Sequence, residues 1–494
     1  MSRRIIVIGL TMAIILGVVL RIAASRGWPL WQDEAETVIN SLQVLERGYP
    51  HSTFKDKPLY ESAVYIPSSP DDPKYAFVST NYATSDLERN KGWLTYYIEA
   101  GFLKLFGFST FTARLPFVLI AGATILMVFW LGRKLFNATT GLIAAALSSI
   151  NYYAILNERQ ARYLSLEIFL VVVCLYFFYA AVTTGRRRDY LFGGVALALL
   201  FYTHLVSALA LAVFFGAAHV YARHSLRALI SKNFLLSVSV TLLLTVPWIV
   251  GVKLWTLTSA YTTVLGPLTG ALIVLLVAVT YFFFQLFVPS IRLGQFRRLT
   301  SVSFLLLAAI VIVIVKPFVT PYESLAARLF VELNPIFMLL LAALGHHWWT
   351  SRNNAGRHLR AAAWLVPLLA SIYIFNDGLG KFQNNLYDTR WVQRSIDFLD
   401  RHGVDEQTPV LVSYQQFPFM LYSDYNVDLL WPVRQSYINT YPGTLYFIIN
   451  RQAIHPTMFY RRLNPSKEDL PYHDRIGTCI QHVIDEQTDI LECP

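Results

Sequence analysis

Charged residues are scarce in this chain of 494 residues: Asp, Glu, Lys and Arg make up 15% of it, against 55% hydrophobic residues. A soluble protein of this size carries more charge, so the composition excludes that class. Nearly uncharged stretches of roughly 18 or more residues recur along the first three quarters, each long enough to cross a bilayer as a helix. The sequence therefore predicts a polytopic α-helical membrane protein with about 11 transmembrane helices. The spans are roughly 5–24, 111–132, 138–156, 164–184, 190–204, 205–222, 233–252, 265–289, 300–316, 329–348 and 361–376.

Cysteine is also rare, with 3 residues, and the sequence shows no internal repeat or low-complexity tract. Cys174 falls inside a predicted span, where it acts as a small apolar residue. Cys479 and Cys493 both fall in the tail beyond the last span, where a disulfide could form on the outside of the membrane. A transporter tends to show repeat symmetry and charges near the bilayer midplane. The sequence shows neither clearly.

Basic residues fall in alternate loops. Arg3 and Arg4 place the N-terminus in the cytoplasm, and every short loop on that side is then basic, as the positive-inside rule requires. The net charge of +10 therefore reflects topology and anionic membrane lipids, not nucleic acid. The pattern predicts a multi-pass protein of the cell (inner) membrane with a cytoplasmic N-terminus and an extracytoplasmic C-terminal domain. The inner-side residues are Arg133 and Lys134; Arg186, Arg187 and Arg188; Arg223, Arg227 and Lys232; Arg292, Arg297 and Arg298; and Arg352, Arg357 and Arg360.

Two segments allow a second interpretation. Residues 92–108 are apolar enough to suggest a further span, but that crossing would move the triplet 186–188 to the outside. Glu99 and Lys104 also interrupt the segment, so we interpret it as an interfacial amphipathic helix. Residues 1–24 resemble a signal peptide, with small residues at 23 and 24. The apolar run is long for that purpose and Arg21 follows it, which favours a retained span.

The chain divides into two predicted domains. Residues 1–377 form the transmembrane module, with a long outside loop at 25–110 that contains interfacial helices. Within this loop the stretch 52–90 is rich in Pro, Asp, Ser and Asn and reads as a lid or a mobile loop. The sequence of residues 378–494 predicts a small extracytoplasmic α/β domain. Its elements are an amphipathic helix at 390–401 and strands at 409–414 and 444–449.

A pair of acids, Asp33 and Glu34, lies about ten residues past the first span. Carboxylates near lipid are costly unless they face water, a substrate or a cation. The structural interpretation is that the pair caps a helix that begins near residue 34. Spacing alone does not separate the cap from a functional site.

Other polar residues gather on the outside or at its rim, and they combine acids with several basic groups. Arg and Lys can hold a phosphate, and a carboxylate can take a proton from an attacking hydroxyl. Each member also has an ordinary interpretation: a snorkelling arginine, an ion pair within one helical turn, or a satisfied polar residue in a bundle. The candidates for substrate binding are Lys91, Arg114, Glu158, Arg159, Arg162, Tyr163, His204 and Arg328.

Four segments together resemble the GT-C superfamily of polyprenyl-phosphate-sugar glycosyltransferases, and in particular the protein O-mannosyltransferases and the lipid A aminoarabinose transferases. Their order and their sidedness match that family over nearly the whole chain, most strongly at 28–166. A degraded family segment follows at Arg328 and Pro335. The four segments are 31–35 (Trp-Gln-Asp-Glu-Ala); 91–97 (Lys-Gly-Trp-Leu-Thr-Tyr-Tyr) with 103–107; 114–116 (Arg-Leu-Pro) with 131–136; and 159–166, which contains Ala-Arg-Tyr.

The resemblance implies an enzyme that moves a hexose or pentose from a polyprenyl-phosphate donor to an acceptor hydroxyl on the outer face, with inversion. The acceptor would be a lipid, a protein or an envelope polysaccharide, and the other partners are membrane lipids. Asp33 would be the general base, with Glu34 supporting it, and the basic residues would hold the donor phosphate. We expect no required cofactor. A divalent cation remains an alternative, with Asp33, Glu34 and Glu158 as candidate ligands.

Two features depart from the family pattern. Gly92 and Trp93 replace the usual prolines after Lys91, and the stretch 52–90 lengthens the first loop. The rival functions are a polytopic transporter or lipid-linked sugar flippase, a scaffold or sensor, and, within the enzymes, an oligosaccharyltransferase. The scaffold leaves the acids and arginines unexplained.

Overall fold

The computed structural model describes residues 2–24, 28–51, 53–55, 57–59, 87, 92–254, 300–315, 322–350, 389–413, 415–429, 441–450, 477–486 and 488–494. The predicted spans 265–289 and 361–376, most of the stretch 52–90 and the predicted domain boundary at 377/378 lie outside the described residues. The chain forms two units. The first contains Met1–Ala24, Arg89–Thr95 and Phe117–Leu365, and the second contains Ser25–Glu88, Tyr96–Pro116 and Val366–Pro494.

Helices build the described part of the first unit. They are α1 (Arg3–Ala24), α4 (Thr110–Leu135), α5 (Ala138–Ile150), α6 (Tyr152–Glu158), α7 (Tyr163–Thr184), α8 (Arg187–Phe201), α9 (Leu205–Arg223), α10 (Lys232–Gly251), α11 (Ser301–Val315) and α12 (Tyr322–Thr350). The first residues of α4 belong to the second unit. Within the first unit α1 packs on α5, α7 on α8, α8 on α10, and α11 on α9 and α12.

Five of the described helices are long and apolar enough to cross a membrane: α1, α4, α7, α9 and α10. A sixth crossing results if α5 and α6 count as one span. The predicted span 138–156 is therefore not a single straight helix, because the chain bends by 62° between α5 and α6. Asn151 causes this break: its side chain accepts a 2.8 Å hydrogen bond from the Ala154 backbone N–H and so begins a new helix.

The predicted division of 190–222 at Thr203-His204 is confirmed, because α8 ends at Phe201 and α9 begins at Leu205. Just before α3 (Leu94–Phe106), the chain passes close to this break. The Leu94 N–H donates a 3.0 Å hydrogen bond to the Tyr202 carbonyl. A Cβ atom on Gly92 would lie 2.1 Å from that carbonyl oxygen. Only glycine permits this approach, because any side chain would collide with the backbone of residue 202.

The second unit contains α2 (Gln32–Arg47), most of α3, a short hairpin of β1 (Thr53–Phe54) and β2 (Lys57–Pro58), and the C-terminal elements. A helix at 92–108 is confirmed by α3, which is not among the described helices long and apolar enough to cross a membrane. Its interfacial position stays a prediction. The C-terminal elements are α13 (Arg390–Arg401), β3 (Pro409–Val412), α14 (Gln416–Tyr422), β4 (Asn426–Leu429), β5 (Leu445–Asn450), β6 (Ile480–Asp485) and β7 (Thr488–Cys493).

The C-terminal strands form one mixed sheet in the order β4-β3-β5-β7-β6. β3 runs parallel to β4 and to β5, whereas β7 runs antiparallel to β5 and β6. All six residues of β5 are buried, because both faces of this central strand are covered. The predicted helix at 390–401 and both predicted strands are confirmed. Cys479 and Cys493 form a disulfide across the β6–β7 hairpin.

Candidate active site

The two adjacent acids at the start of α2 have different environments. Asp33 is partly exposed, whereas Glu34 is 1% exposed. Successive residues on a helix point about 100° apart, so one side chain can face outward while its neighbour is buried. The Glu34 carboxylate accepts a 3.3 Å hydrogen bond from the Trp31 backbone N–H and so caps the helix. The capping interpretation of the pair is therefore confirmed for Glu34.

Glu34 is also the partner of Arg114 on α4. The Arg114 Nε donates to Oε1 at 2.7 Å, and Nη2 donates to Oε2 at 2.6 Å, which makes a bidentate ion pair. The same guanidinium donates to the carbonyls of Trp28 and Pro29 at 3.1 and 3.4 Å. Arg114 thus fixes the segment that leads into Asp33, and it is buried rather than snorkelling.

The C-terminal part of the chain adds a second anchor to the same segment. The Tyr422 hydroxyl, on α14, accepts a 2.9 Å hydrogen bond from the Leu30 N–H and lies 2.8 Å from the Thr110 hydroxyl. The Gln32 side chain accepts from the Phe417 N–H at 3.2 Å. Burial raises the pKa of the Tyr422 phenol, so this hydroxyl stays protonated. Residues 30–34 are therefore held from both sides within the second unit.

A third carboxyl group, Glu99 on α3, is buried in the same unit at 0% exposure. Among the described residues, neither of its oxygens has a hydrogen-bond partner. The Ser41 hydroxyl donates instead to the Thr37 carbonyl at 2.7 Å. Burial raises the pKa of Glu99 well above its usual range, and the Glu34 carboxylate raises it further. Glu99 therefore keeps its proton to a higher pH than an ordinary glutamate does.

The first unit contains a second buried ion pair, between Arg21 of α1 and Glu158 of α6. The Arg21 Nε donates to Glu158 Oε2 at 2.8 Å, and the two side chains are 0% and 2% exposed. The same guanidinium donates to the carbonyls of Gly17, Ser148 and Ser149 at 2.9 to 3.3 Å. The bend after α5 frees its last carbonyls from helical bonding, and Arg21 satisfies two of them.

The turn between α6 and α7 carries two partly exposed arginines, Arg159 and Arg162. The Arg159 guanidinium donates to the Ala24 carbonyl. Arg162 lies over the Tyr163 ring at 5.6 Å, and that ring stacks on His204 with centroids 5.2 Å apart. Arg162, Tyr163 and His204 thus form one cationic and aromatic group in the first unit, and Arg159 lies in the same turn.

The structure thus separates the predicted residues into sets. Asp33, Glu34 and Arg114 meet in the second unit. Glu158, Arg159, Arg162, Tyr163 and His204 belong to the first unit, where the stack brings the last three together. Lys91 lies outside the described residues, and the Arg328 side chain is not described. The structure pairs Glu158 with Arg21 of α1, a partner outside the helical turn that the sequence suggested.

Comparison with known proteins identifies the architecture. Residues 90–250 match the family model of dolichyl-phosphate-mannose-protein mannosyltransferase. The structure of ArnT from Cupriavidus metallidurans bound to undecaprenyl phosphate superposes with a TM-score of 0.57 at 13% identity, covering 100% of this chain and 98% of that one. The chain shares the GT-C fold of this structure. With its apolar helices, it is an integral membrane protein.

Two other GT-C structures match over nearly the whole chain. The apo oligosaccharyltransferase of Archaeoglobus fulgidus has a TM-score of 0.52 at 11% identity, with 97% of this chain and 73% of that one covered. The mycobacterial arabinofuranosyltransferase AftD has a TM-score of 0.51 at 14% identity, covering 99% and 41%. No curated protein sequence matches the chain significantly.

Several functional candidates on this GT-C scaffold were not singled out from the sequence. Arg21 was interpreted only as evidence for a retained span, although an arginine at the end of an apolar helix also indicates a polar partner. Glu167 and Glu332 are intrahelical acids in apolar stretches, and the same signal applies to them. Tyr422 gives no local signal, because its partners lie 312 and 392 residues away.

Proposed function

We propose that the chain transfers a sugar from a polyprenyl-phosphate donor to an acceptor hydroxyl on the outer face of the membrane. The mannosyltransferase match at 90–250 supports the reaction class. The matched ArnT structure holds undecaprenyl phosphate, which supports a lipid-linked donor. The basic inner loops support an orientation with a cytoplasmic N-terminus and an extracytoplasmic tail, in the cell (inner) membrane.

The observation that carries the proposal is the different environment of Asp33 and Glu34. Both carboxylate oxygens of Glu34 accept hydrogen bonds from Arg114, and the same side chain caps α2, so Glu34 has a structural role. Asp33 is the partly exposed member, at the end of a segment anchored by Arg114 and Tyr422. A positioned carboxylate of this kind can accept a proton from a hydroxyl. Asp33 is therefore the general base, and Glu34 positions it.

The donor phosphate is assigned to the arginines of the first unit. Arg114 is committed to Glu34, so it acts as a positioning residue and not as a phosphate ligand. Arg159 and Arg162 are partly exposed and present guanidinium groups suited to bidentate phosphate contacts. Lys91 and Arg328 remain further candidates from the family resemblance.

The reaction then has a defined balance. The acceptor oxygen forms a bond to the anomeric carbon, the bond from that carbon to the phosphate oxygen breaks, and Asp33 receives the hydroxyl proton. Attack opposite the leaving phosphate inverts the anomeric centre. The arginines stabilise the charge that grows on the polyprenyl phosphate as the sugar leaves. In this scheme the transfer itself requires no cofactor.

A donor panel tests this function. Purified full-length protein in detergent is given radiolabelled polyprenyl-phosphate hexoses and pentoses, with lipid, peptide and glycan acceptors in turn. We expect release or transfer of sugar from one donor, and we expect Asp33→Asn to abolish it while donor binding persists. Asp397→Asn removes an exposed carboxylate from α13 and serves as the matched control. The proposal would be wrong if the protein bound a donor saturably, transferred sugar to no acceptor, and moved the donor across the membrane of vesicles. That result would show a flippase and not a transferase.

A further inference from the structure

Three potential metal ligands from three separate helical regions meet inside the first unit. Glu167 lies in the first turns of α7, His204 directly precedes α9, and Glu332 lies on α12. Their ligand atoms all lie within 4.8 Å of one another. Among the described residues, no other group of three His, Cys, Asp or Glu side chains meets this criterion.

Burial separates this group from an ordinary acidic surface. Glu167 is 1% exposed and Glu332 is 0% exposed, while His204 is partly exposed. Two buried carboxylates so close together repel each other, and a bound cation relieves that repulsion. The His204 Nδ1 already lies 2.9 Å from the Glu167 Oε1. The arrangement thus brings an imidazole and two carboxyl groups within reach of one ion.

We propose that Glu167, His204 and Glu332 bind one divalent metal ion of the zinc class. Imidazole nitrogen and carboxylate oxygen are both zinc ligands, and zinc sites with three protein ligands keep one position open. Tetrahedral ligands about 2.1 Å from the metal lie about 3.4 Å from one another. The present ligand atoms, all within 4.8 Å of one another and 2.9 Å apart for His204 and Glu167, bracket that spacing. His204 gives the site its preference over Mg²⁺ and Ca²⁺, which select oxygen ligands.

The surroundings already orient two of the ligands. The Ser207 hydroxyl donates to Glu167 and lies 2.5 Å from the His204 Nδ1. The Tyr163 ring stacks on the imidazole with an interplanar angle of 15°. Such partners fix the rotamers of metal ligands and strengthen binding.

The metal would connect α7, the residue that precedes α9, and α12, which are far apart in sequence. Its first role is therefore stability, because a ligand that binds only the folded state stabilises that state more as the ligand concentration rises above its Kd. This role does not depend on the proposed transfer reaction. It also differs from the predicted alternative that Asp33, Glu34 and Glu158 hold a cation, since arginines occupy Glu34 and Glu158.

The test measures metal content and stability, not turnover. Full-length protein with its affinity tag removed is dialysed against Zn²⁺ and then against metal-free buffer, and its metal content is measured by mass spectrometry. We expect about one zinc per chain, and a lower apparent Tm after chelation with EDTA. Addition of Co²⁺ to the stripped protein should give the visible absorption of a tetrahedral cobalt site with a nitrogen ligand.

Glu332→Gln and His204→Asn should weaken zinc binding by about tenfold or more, remove the cobalt spectrum and make the Tm insensitive to EDTA. Glu99→Gln and His219→Gln remove a buried carboxyl and a buried imidazole elsewhere and should keep the zinc. If the site variants do not fold, the chelation and cobalt measurements on the unmodified protein decide alone. Two results would overturn the proposal: no retained zinc together with no cobalt spectrum, or the same zinc content in both site variants. His204 and Glu167 would then form an ion pair without a metal.

Discussion

Arg114 binds Glu34 through two side-chain hydrogen bonds of 2.7 and 2.6 Å, and both side chains are buried. A buried ion pair is worth little more than well-packed apolar residues, but breaking one leaves a buried charge and costs about 3–5 kcal/mol. The pair therefore makes the start of α2 sensitive to single substitutions. Its function is to hold the segment that carries Asp33.

The first prediction concerns this pair. Glu34→Leu and Arg114→Leu should each lower the apparent Tm strongly, whereas the double variant should recover much of the loss because no buried charge remains. Thermal unfolding in detergent measures this. Arg394→Ala breaks an exposed pair with Asp485 and should cost only about 0–1 kcal/mol. Two single-variant losses that simply add in the double variant would contradict the account.

Arg21 should not be replaceable by lysine. Its planar guanidinium serves Glu158 and three carbonyls at once, and a lysine ammonium cannot match that geometry. We therefore expect Arg21→Lys to lower the apparent Tm nearly as much as Arg21→Met. Arg188→Lys, at an exposed arginine of α8, provides the control. An Arg21→Lys protein as stable as the unmodified chain would show that charge alone suffices.

Glu99 predicts a pH dependence of stability. Its ordinary pKa is about 4.3, and the folded state raises it well above that value. The folded state therefore holds the proton more tightly than the unfolded state does. The contribution of Glu99 to the free energy of unfolding falls as pH rises above the ordinary pKa, and it is lost once pH exceeds the raised pKa. Glu99→Gln should flatten this part of the curve of apparent Tm against pH. An unchanged slope would mean that Glu99 is ionised in the folded protein.

Gly92 should tolerate no side chain. A Cβ atom there would lie 2.1 Å from the Tyr202 carbonyl oxygen and 2.3 Å from its carbon, both backbone atoms. Gly92→Ala should therefore lower stability and displace the start of α3. Gly101→Ala, within α3 and with open space around it, should be neutral or slightly stabilising. Equal stability of both variants would contradict the close approach.

Local patterns in the sequence were sufficient for much of the fold. The amphipathic helix at 390–401 has the predicted bounds because its apolar residues recur with helical spacing. The break at Thr203-His204 was visible because two polar residues interrupt a long apolar run. The bend at Asn151 was missed, because a helix broken by one capping residue has the same hydropathy as a straight span.

The candidate site was only partly predictable for a different reason. Glu34, Arg114 and Glu158 were candidates because of their charge, but their pairing was not predicted. Arg114 and Glu34 are 80 residues apart, and Arg21 and Glu158 are 137 apart. No local spacing encodes such pairs. The alternatives of cap and catalyst for 33–34 were both reasonable, and burial now assigns the cap to Glu34.

The most direct test of the account compares Asp33→Asn with Glu34→Gln in a single-turnover transfer assay, with apparent Tm measured on the same preparations. If Asp33 is the base, Asp33→Asn lowers the transfer rate by about 10²–10⁴-fold at an unchanged Tm, while Glu34→Gln lowers the Tm. A rate that survives Asp33→Asn, in protein that still binds the donor, would contradict the central claim.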